Sequence, residues 1–198
     1  MAVDCFSINI DGIHGSKHWD RVHENGVYLV KRSGGDLLVV QLFAYLHDSC
    51  RQSDGWDPQH GERAAAFARA LAEDWLTLEE DQLELLTFAC EFHEKGRVND
   101  DPAVGACGDS DRLVRGRVGI IPKARLLSTE RAKRPTVIDW ELATESGKRS
   151  VFERKVIRLR SLLVTVSENL HSKRGDGVSC DPRLPQQCLR SASVGLAG

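Results

Sequence analysis

The feature that most constrains the fold is the apolar run "LLVVQLFAYLHD", residues 37–48, which ends on a histidine and an aspartate. Its length and its apolar residues on all sides favour a buried α-helix, although the adjacent Val39 and Val40 leave a parallel strand as the alternative. Burying His47 and Asp48 at the end of such an element costs stability unless the two side chains are paired or bind a cation. The run therefore predicts a central buried helix that carries a polar pair into the protein interior.

Helical signals fill the rest of the first 130 residues. We predict further helices over residues 16–32, 58–75, 78–95 and 102–113. Pro58 and Pro102 suit the first turn of a helix, and Thr77 and Asp101 can cap the helices that follow them. The short connections predict that consecutive helices pack as neighbours. The sequence therefore predicts one all-α domain over residues 1–130, a helical bundle around the central buried helix.

The charge differs between the two parts of the chain. Residues 1–130 hold 14 Lys and Arg against 22 Asp and Glu, a net charge of −8, whereas residues 131–198 hold 13 against 7, a net charge of +6. An acidic body favours binding of cations and argues against a nucleic-acid partner, except through the basic tail. We predict that this tail is a poorly structured extension, with one helix over 151–170 and a disordered end.

The sequence shows neither of the patterns that direct a chain into or across a membrane. No apolar run approaches the roughly 20 residues that span a bilayer. The start of the chain, "MAVDCFSINIDG", has an early acid and lacks a basic segment before a long apolar one, unlike a secretory signal. We therefore expect a cytoplasmic protein without a membrane partner, and the oligomeric state stays open.

Histidines and aspartates collect at or near the predicted helix ends. Besides the pair His47 and Asp48, the candidates are His18, His60, His93, Asp109 and Asp111. Imidazole nitrogen and carboxylate oxygen are the ligands that suit divalent Zn, Mn, Fe, Co and Ni. Because helices packed around one core can bring their ends together at one rim, these residues predict a metal site. The alternative for any single histidine is a surface or capping role, which we assign to His14, His23 and His171.

Five segments carry polar residues in a particular order: "KHWDRV", "FAYLHDSCR", "HGERAA", "ACEFHEKG" and "GDSDRL". They supply, in turn, His, His-Asp, His, His and Asp. Over about residues 12–125 this order resembles the HD superfamily of metal-dependent phosphohydrolases, and most of all its small bacterial single-domain proteins. The resemblance implies an HD-domain helical bundle, and the tail has no counterpart in it.

The resemblance also implies a ligand set. It consists of two groups that share Asp48 as a bridge: His18, His47 and Asp111 for one ion, and His60 and His93 for a second. Asp111 is preferred to Asp109 because "SDRL" matches the family's small residue, aspartate and short apolar continuation. One or two divalent ions are implied, from among Mn, Fe, Co, Ni, Zn and Mg.

The activity implied by the resemblance is hydrolysis of a phosphomonoester or phosphodiester, such as a nucleotide or a related small molecule, by metal-activated water. Asp48 would be catalytic as the bridge, and Arg51 would contact the phosphate. Two alternatives stay open: a di-iron oxygenase of the myo-inositol-oxygenase type, and a non-enzymatic metal-binding or sensing module. Departures from the family pattern at Ser49, Cys50 and Val114 leave the substrate open.

Overall fold

The structure, a computed structural model, describes residues 6–145, apart from the side chains of residue 117 and residues 143–145. This part of the chain holds six α-helices and no strand, which confirms the predicted all-α fold. The helices are α1 (Ser16–Ser33), α2 (Leu37–Leu46), α3 (His60–Asp74), α4 (Glu80–Phe92), α5 (Pro102–Leu113) and α6 (Pro135–Glu145). Short 3₁₀ turns lie at His93–Lys95, Val114–Val118 and Ala124–Leu126. Among the described residues, no helix is both long and apolar enough to cross a membrane.

The apolar run that ends in His47 and Asp48 forms α2, so the helical interpretation is correct. α2 starts at the surface, where Leu37 and Leu38 are 39% and 40% exposed, and from Val39 onward its buried residues alternate with partly exposed ones. The helix enclosed along its length is α5, in which every residue from Ala103 to Leu113 is buried. α5 packs against α1, α2 and α4. The innermost position therefore belongs to α5 rather than to α2.

Helix α1 crosses α2 at Gly26, in the middle of α1. A side-chain carbon added at Gly26 would lie 2.5 Å from Val40 Cγ1, so this close approach requires glycine. Glycine lowers the intrinsic helix propensity of α1, but here it lets the two helices pack together. The crossing brings the start of α1, with His18, beside the end of α2, with His47.

Polar side chains cap the helices that lead into the interior. The carboxylate of Asp36 accepts a hydrogen bond from a first-turn N–H of α2, and that of Asp101 accepts two from α5, as predicted. The cap of α4 is Glu79 rather than Thr77, because Glu79 and Gln82 form a reciprocal capping pair. Such a pair satisfies two otherwise unpaired N–H groups at once.

Helix α6 lies in a segment where the sequence pattern predicts no helix. Val137 and Ile138 on α6 are buried in the core, and the buried Glu141 pairs with Arg21 of α1. Trp140 is partly exposed while its neighbour Glu141 is enclosed, so α6 lacks the apolar stripe from which a helix is predicted. The predicted helix over 151–170 and the predicted disordered end lie outside the described residues.

Candidate metal centre

The six residues of the predicted ligand set come together where several helices begin or end. His18 lies in the first turn of α1, and His47 and Asp48 lie in the turn that follows α2. His60 begins α3, His93 directly follows α4, and Asp111 is in the last turn of α5. All six are buried, with at most 8% of their surface exposed. Residues spread over 94 positions of sequence therefore form one polar cluster inside an apolar body.

Asp48 divides this cluster into two halves. Its Oδ2 lies 3.4 Å from His18 Nε2 and 3.6 Å from His47 Nε2. Its Oδ1 lies 3.4 Å from His60 Nε2 and 3.7 Å from His93 Nε2. Each carboxylate oxygen thus faces its own pair of histidines, and each of the two groups can hold a metal ion.

The first group also contains Asp111. Asp111 Oδ1 lies 3.4 Å from His18 Nε2 and 4.0 Å from His47 Nε2. The two imidazoles place their Nε2 atoms 3.2 Å apart. His47 donates from Nδ1 to backbone carbonyls of α2, so its Nε2 carries a lone pair when the ring is neutral. Two imidazole nitrogens and two carboxylates therefore converge on one small volume.

The second group is built around two facing histidines. His60 Nε2 and His93 Nε2 are 3.0 Å apart. His60 donates from Nδ1 to the Asp57 carbonyl at 2.5 Å, and His93 donates from Nδ1 to the Cys90 carbonyl at 2.7 Å. In the neutral rings both Nε2 lone pairs point at each other, an arrangement that needs a proton or a cation between them. Burial lowers the pKa of His93, but contact with Asp48 outweighs burial and leaves that pKa raised, so this position favours positive charge.

Gly61 brings these two histidines together. A side-chain carbon added at Gly61 would lie 2.7 Å from the Cys90 carbonyl oxygen and 2.8 Å from that of Glu91. The start of α3 can therefore touch the end of α4 only because residue 61 lacks a side chain. The same contact places His60, the preceding residue, beside His93.

Protonation states in the first group suit metal binding. Burial lowers the pKa of His47 to about 3, so this imidazole is neutral near pH 7. Burial opposes ionisation of Asp48, yet the surrounding imidazoles, His47 first, hold the pKa of its carboxyl well below the usual range. The pKa of Asp111 is likewise lowered by His18 and His47 against the effect of burial. Neutral imidazole and ionised carboxylates are the forms that bind a divalent ion.

Asp109 lies outside the cluster, although the sequence leaves it as a competitor of Asp111. Its two oxygens accept hydrogen bonds from the backbone N–H groups of Ser128 and Thr129, both at 2.7 Å. The Thr129 hydroxyl donates a third, at 2.8 Å. Asp109 therefore anchors the 128–129 segment to α5, while Asp111 faces the histidines.

Arg51 lies against the second group. Its Nη1 is 3.3 Å from Asp48 Oδ1 and 3.1 Å from His60 Nε2. Its Nε donates to the Ser53 carbonyl and its Nη2 to the Gly55 carbonyl, both at 3.2 Å. Four contacts thus engage a guanidinium that has five N–H donors, and the residue is only 7% exposed. The predicted phosphate contact of Arg51 stays a prediction.

A pocket of about 180 Å³ opens onto the second group and onto Asp111. Its lining includes residues that are not predicted from the sequence, among them His14, Trp56 and Arg115. His14 Nδ1 pairs with Asp54 Oδ1 at 3.0 Å, so His14 belongs to the pocket wall rather than to the free surface. Trp56 is 88% exposed at this pocket. His14 and Trp56 lie in irregular loops, where sequence spacing carries no information about which way a side chain points.

Comparison of the chain with protein-family models, with curated proteins and with solved structures gives no match. The site's buried histidines and aspartates can hold a metal ion.

Proposed function

We propose that this protein is a metal-dependent phosphohydrolase of the HD type, acting on a phosphomonoester or phosphodiester such as a nucleotide or a related small molecule. The observation that supports this most is the position of Asp48, whose two oxygens each face a separate pair of histidines. A carboxylate shared in this way suits two cations side by side, the arrangement that many phosphoryl-transfer sites use.

The donor atoms fit a divalent ion. One ion would be held by His18, His47, Asp48 and Asp111, and a second by Asp48, His60 and His93. Three of the four histidines direct Nδ1–H at a backbone carbonyl. Ligating histidines usually have such a partner, which fixes the ring and leaves Nε2 free to bind the metal.

The charge of the pocket supports a requirement for bound metal in phosphate binding. Its lining carries four carboxylates and two arginines: Asp48, Asp57, Glu94, Asp111, Arg51 and Arg115. This excess of negative charge repels a phosphate ester. Bound divalent cations reverse the balance, so we expect phosphate affinity to depend on metal occupancy.

The chain's own residues then have distinct tasks in hydrolysis. A divalent ion held here supplies Lewis-acid polarisation of the phosphoryl oxygen and lowers the pKa of water. Asp48 holds the two halves of the centre at a fixed separation and balances their positive charge. Arg51 and Arg115 line the pocket from different segments, and their guanidinium groups can donate to phosphate oxygens. Enclosure of the six ligand residues keeps bulk water away from the ligand atoms and strengthens these interactions.

The test is hydrolysis by chelator-stripped protein reloaded with one metal at a time, Mn, Co, Ni, Zn, Mg or Fe. p-Nitrophenyl phosphate, bis(p-nitrophenyl) phosphate and a panel of nucleotides are the substrates. We expect turnover only in the presence of metal. Asp48→Asn should abolish this turnover, while its circular dichroism spectrum stays the same as that of the wild type. Asp109→Asn is the matched control, because it makes the same chemical change outside the cluster. When it is assayed below its melting temperature, this variant should retain turnover.

Two outcomes would overturn the proposal. Oxygen uptake by the iron-loaded protein without phosphate release would assign the site to dioxygen chemistry. Metal binding without phosphate release and without oxygen uptake would assign the protein to the non-enzymatic binding or sensing modules.

A further inference from the structure

Arg51 lies where a second metal ion would have to lie. Its Nη1 is at hydrogen-bond distance from Asp48 Oδ1 and from His60 Nε2, at 3.3 and 3.1 Å. These two atoms belong to two of the three residues, with His93, that form the second candidate metal group. While this guanidinium nitrogen stays in contact with both atoms, no ion fits between them.

In the part of the chain that the structure describes, the first group has no such competitor. The Oδ2 atom of Asp48 faces His18 and His47, and Asp111 adds a second carboxylate there. Among the described residues, no lysine or arginine forms an ion pair with Asp111 or with Oδ2 of Asp48. The two sides of Asp48 therefore differ: one has two carboxylates and no fixed positive charge, and the other has one carboxylate oxygen and an arginine.

Arg51 is held firmly in this position. The Ser53 and Gly55 carbonyls accept hydrogen bonds from its Nε and Nη2. His60 donates from Nδ1 to the Asp57 carbonyl, so its Nε2 is the acceptor that the arginine N–H requires. Displacing Arg51 would break all of these contacts, and a divalent ion beside an undisplaced guanidinium would meet like-charge repulsion.

We propose that the centre binds one divalent ion tightly, in the group formed by His18, His47, Asp48 and Asp111, and that the Arg51 guanidinium serves as the second cation. This inference rests on the proposed function and sharpens it, since a phosphate ester would then bind between one metal ion and one arginine. The second metal group would fill only when Arg51 moves away.

The test is a Mn²⁺ titration of the metal-free full-length protein by calorimetry, with metal content after desalting and the electron paramagnetic resonance spectrum as independent readouts. We expect the wild-type chain to bind one equivalent tightly, with the six-line spectrum of an isolated Mn²⁺ ion. Arg51→Met and Arg51→Gln should tighten binding of a second equivalent by about tenfold or more, which corresponds to about 1.4 kcal/mol. Their spectra should show two spin-coupled ions.

Arg115→Met is the matched control. It removes the same charge from the same pocket but leaves Arg51 in contact with Asp48 and His60, so second-site affinity should change much less than in the Arg51 variants. Arg51→Gln can still donate to a loop carbonyl, which guards against loss of folding. If both Arg51 variants unfold, the wild-type titration decides alone.

Two equally tight equivalents with a coupled spectrum in the wild type would overturn the inference. So would Arg51 variants whose second-site affinity equals that of the wild type. One tight equivalent without hydrolysis of any phosphate ester would instead overturn the proposed function and leave the role of Arg51 standing. The two proposals therefore fail on different readouts.

Discussion

Asp109 and Asp111 lie two residues apart on α5 and make entirely different contacts. Asp111 Oδ1 is 3.4 Å from His18 Nε2, within the histidine and aspartate cluster, whereas both oxygens of Asp109 accept hydrogen bonds from the Ser128–Thr129 segment. The same substitution at the two positions therefore separates metal binding from stability.

Asp111→Asn should weaken metal binding with little change in the melting temperature of the metal-free protein. We expect the loss of affinity to reach at least the roughly 10- to 100-fold that removal of an outer-shell partner costs. Asp109→Asn should lower the melting temperature with little change in metal affinity. It leaves buried N–H and O–H donors poorly paired, at a cost of about 1–3 kcal/mol in the free energy of unfolding. Calorimetric metal titration of both variants measures the metal affinity, and thermal denaturation of both measures the melting temperature. Equal metal affinities in the two variants would contradict the assignment of Asp111.

Metal should stabilise the fold, since the ligands are brought together only in the folded chain. At a free metal concentration 100 times the Kd, binding contributes about 2.7 kcal/mol to the free energy of unfolding. For a domain of this size that corresponds to a rise in Tm of roughly 5–10 °C. The measurement is differential scanning calorimetry with chelator and with Mn²⁺. Asp48→Asn should show no rise, and a full rise in that variant would place the ion elsewhere.

Gly61→Ala should separate α3 from α4. The added carbon would lie 2.7 and 2.8 Å from two backbone carbonyl oxygens at the end of α4, and overpacking of this kind costs about 1–3 kcal/mol. Because His60 moves with Gly61, turnover should fall as well. Gly55→Ala is the control, since its added carbon would meet only Ser53 Oγ, at an ordinary 3.5 Å. Equal melting temperatures for Gly61→Ala and the wild type would refute the close contact.

Arg21 and Glu141 should couple α1 to α6. Glu141 is 2% exposed and pairs with Arg21, so Arg21→Met leaves a carboxylate buried without this partner, which typically costs about 3–5 kcal/mol. The double variant with Glu141→Leu should recover much of that loss. Urea denaturation of the single and double variants measures the coupling energy. Strictly additive effects would show that the two side chains do not interact.

Much of the helical framework is predictable from sequence because it depends on local chemistry. The Asp101-Pro102 start of α5 is one case, since both residues act within a single turn. The apolar run that forms α2 is another, because its length distinguishes a helix from a strand. The cap of α4 is harder to predict, since Thr77 and Glu79 compete and only the reciprocal contact with Gln82 decides between them.

Features that depend on tertiary contacts are not visible in the sequence. The enclosure of α5 and the burial of Glu141 on α6 depend on which helices surround them, so neither follows from periodicity. The order of histidines and aspartates predicts which side chains could meet. It does not show that Arg51 would reach between Asp48 and His60, because a long flexible side chain is placed by its partners.

The proposed metal centre depends on Asp48, which joins the two histidine pairs. Its most direct test is the metal content of wild-type and Asp48→Asn protein, each stripped with chelator, reloaded with Mn²⁺, desalted and analysed by inductively coupled plasma mass spectrometry. We expect at least one tightly held ion per wild-type chain and none in Asp48→Asn. A wild-type chain that retains no ion, or an Asp48→Asn chain that retains as much as the wild type, would contradict this expectation.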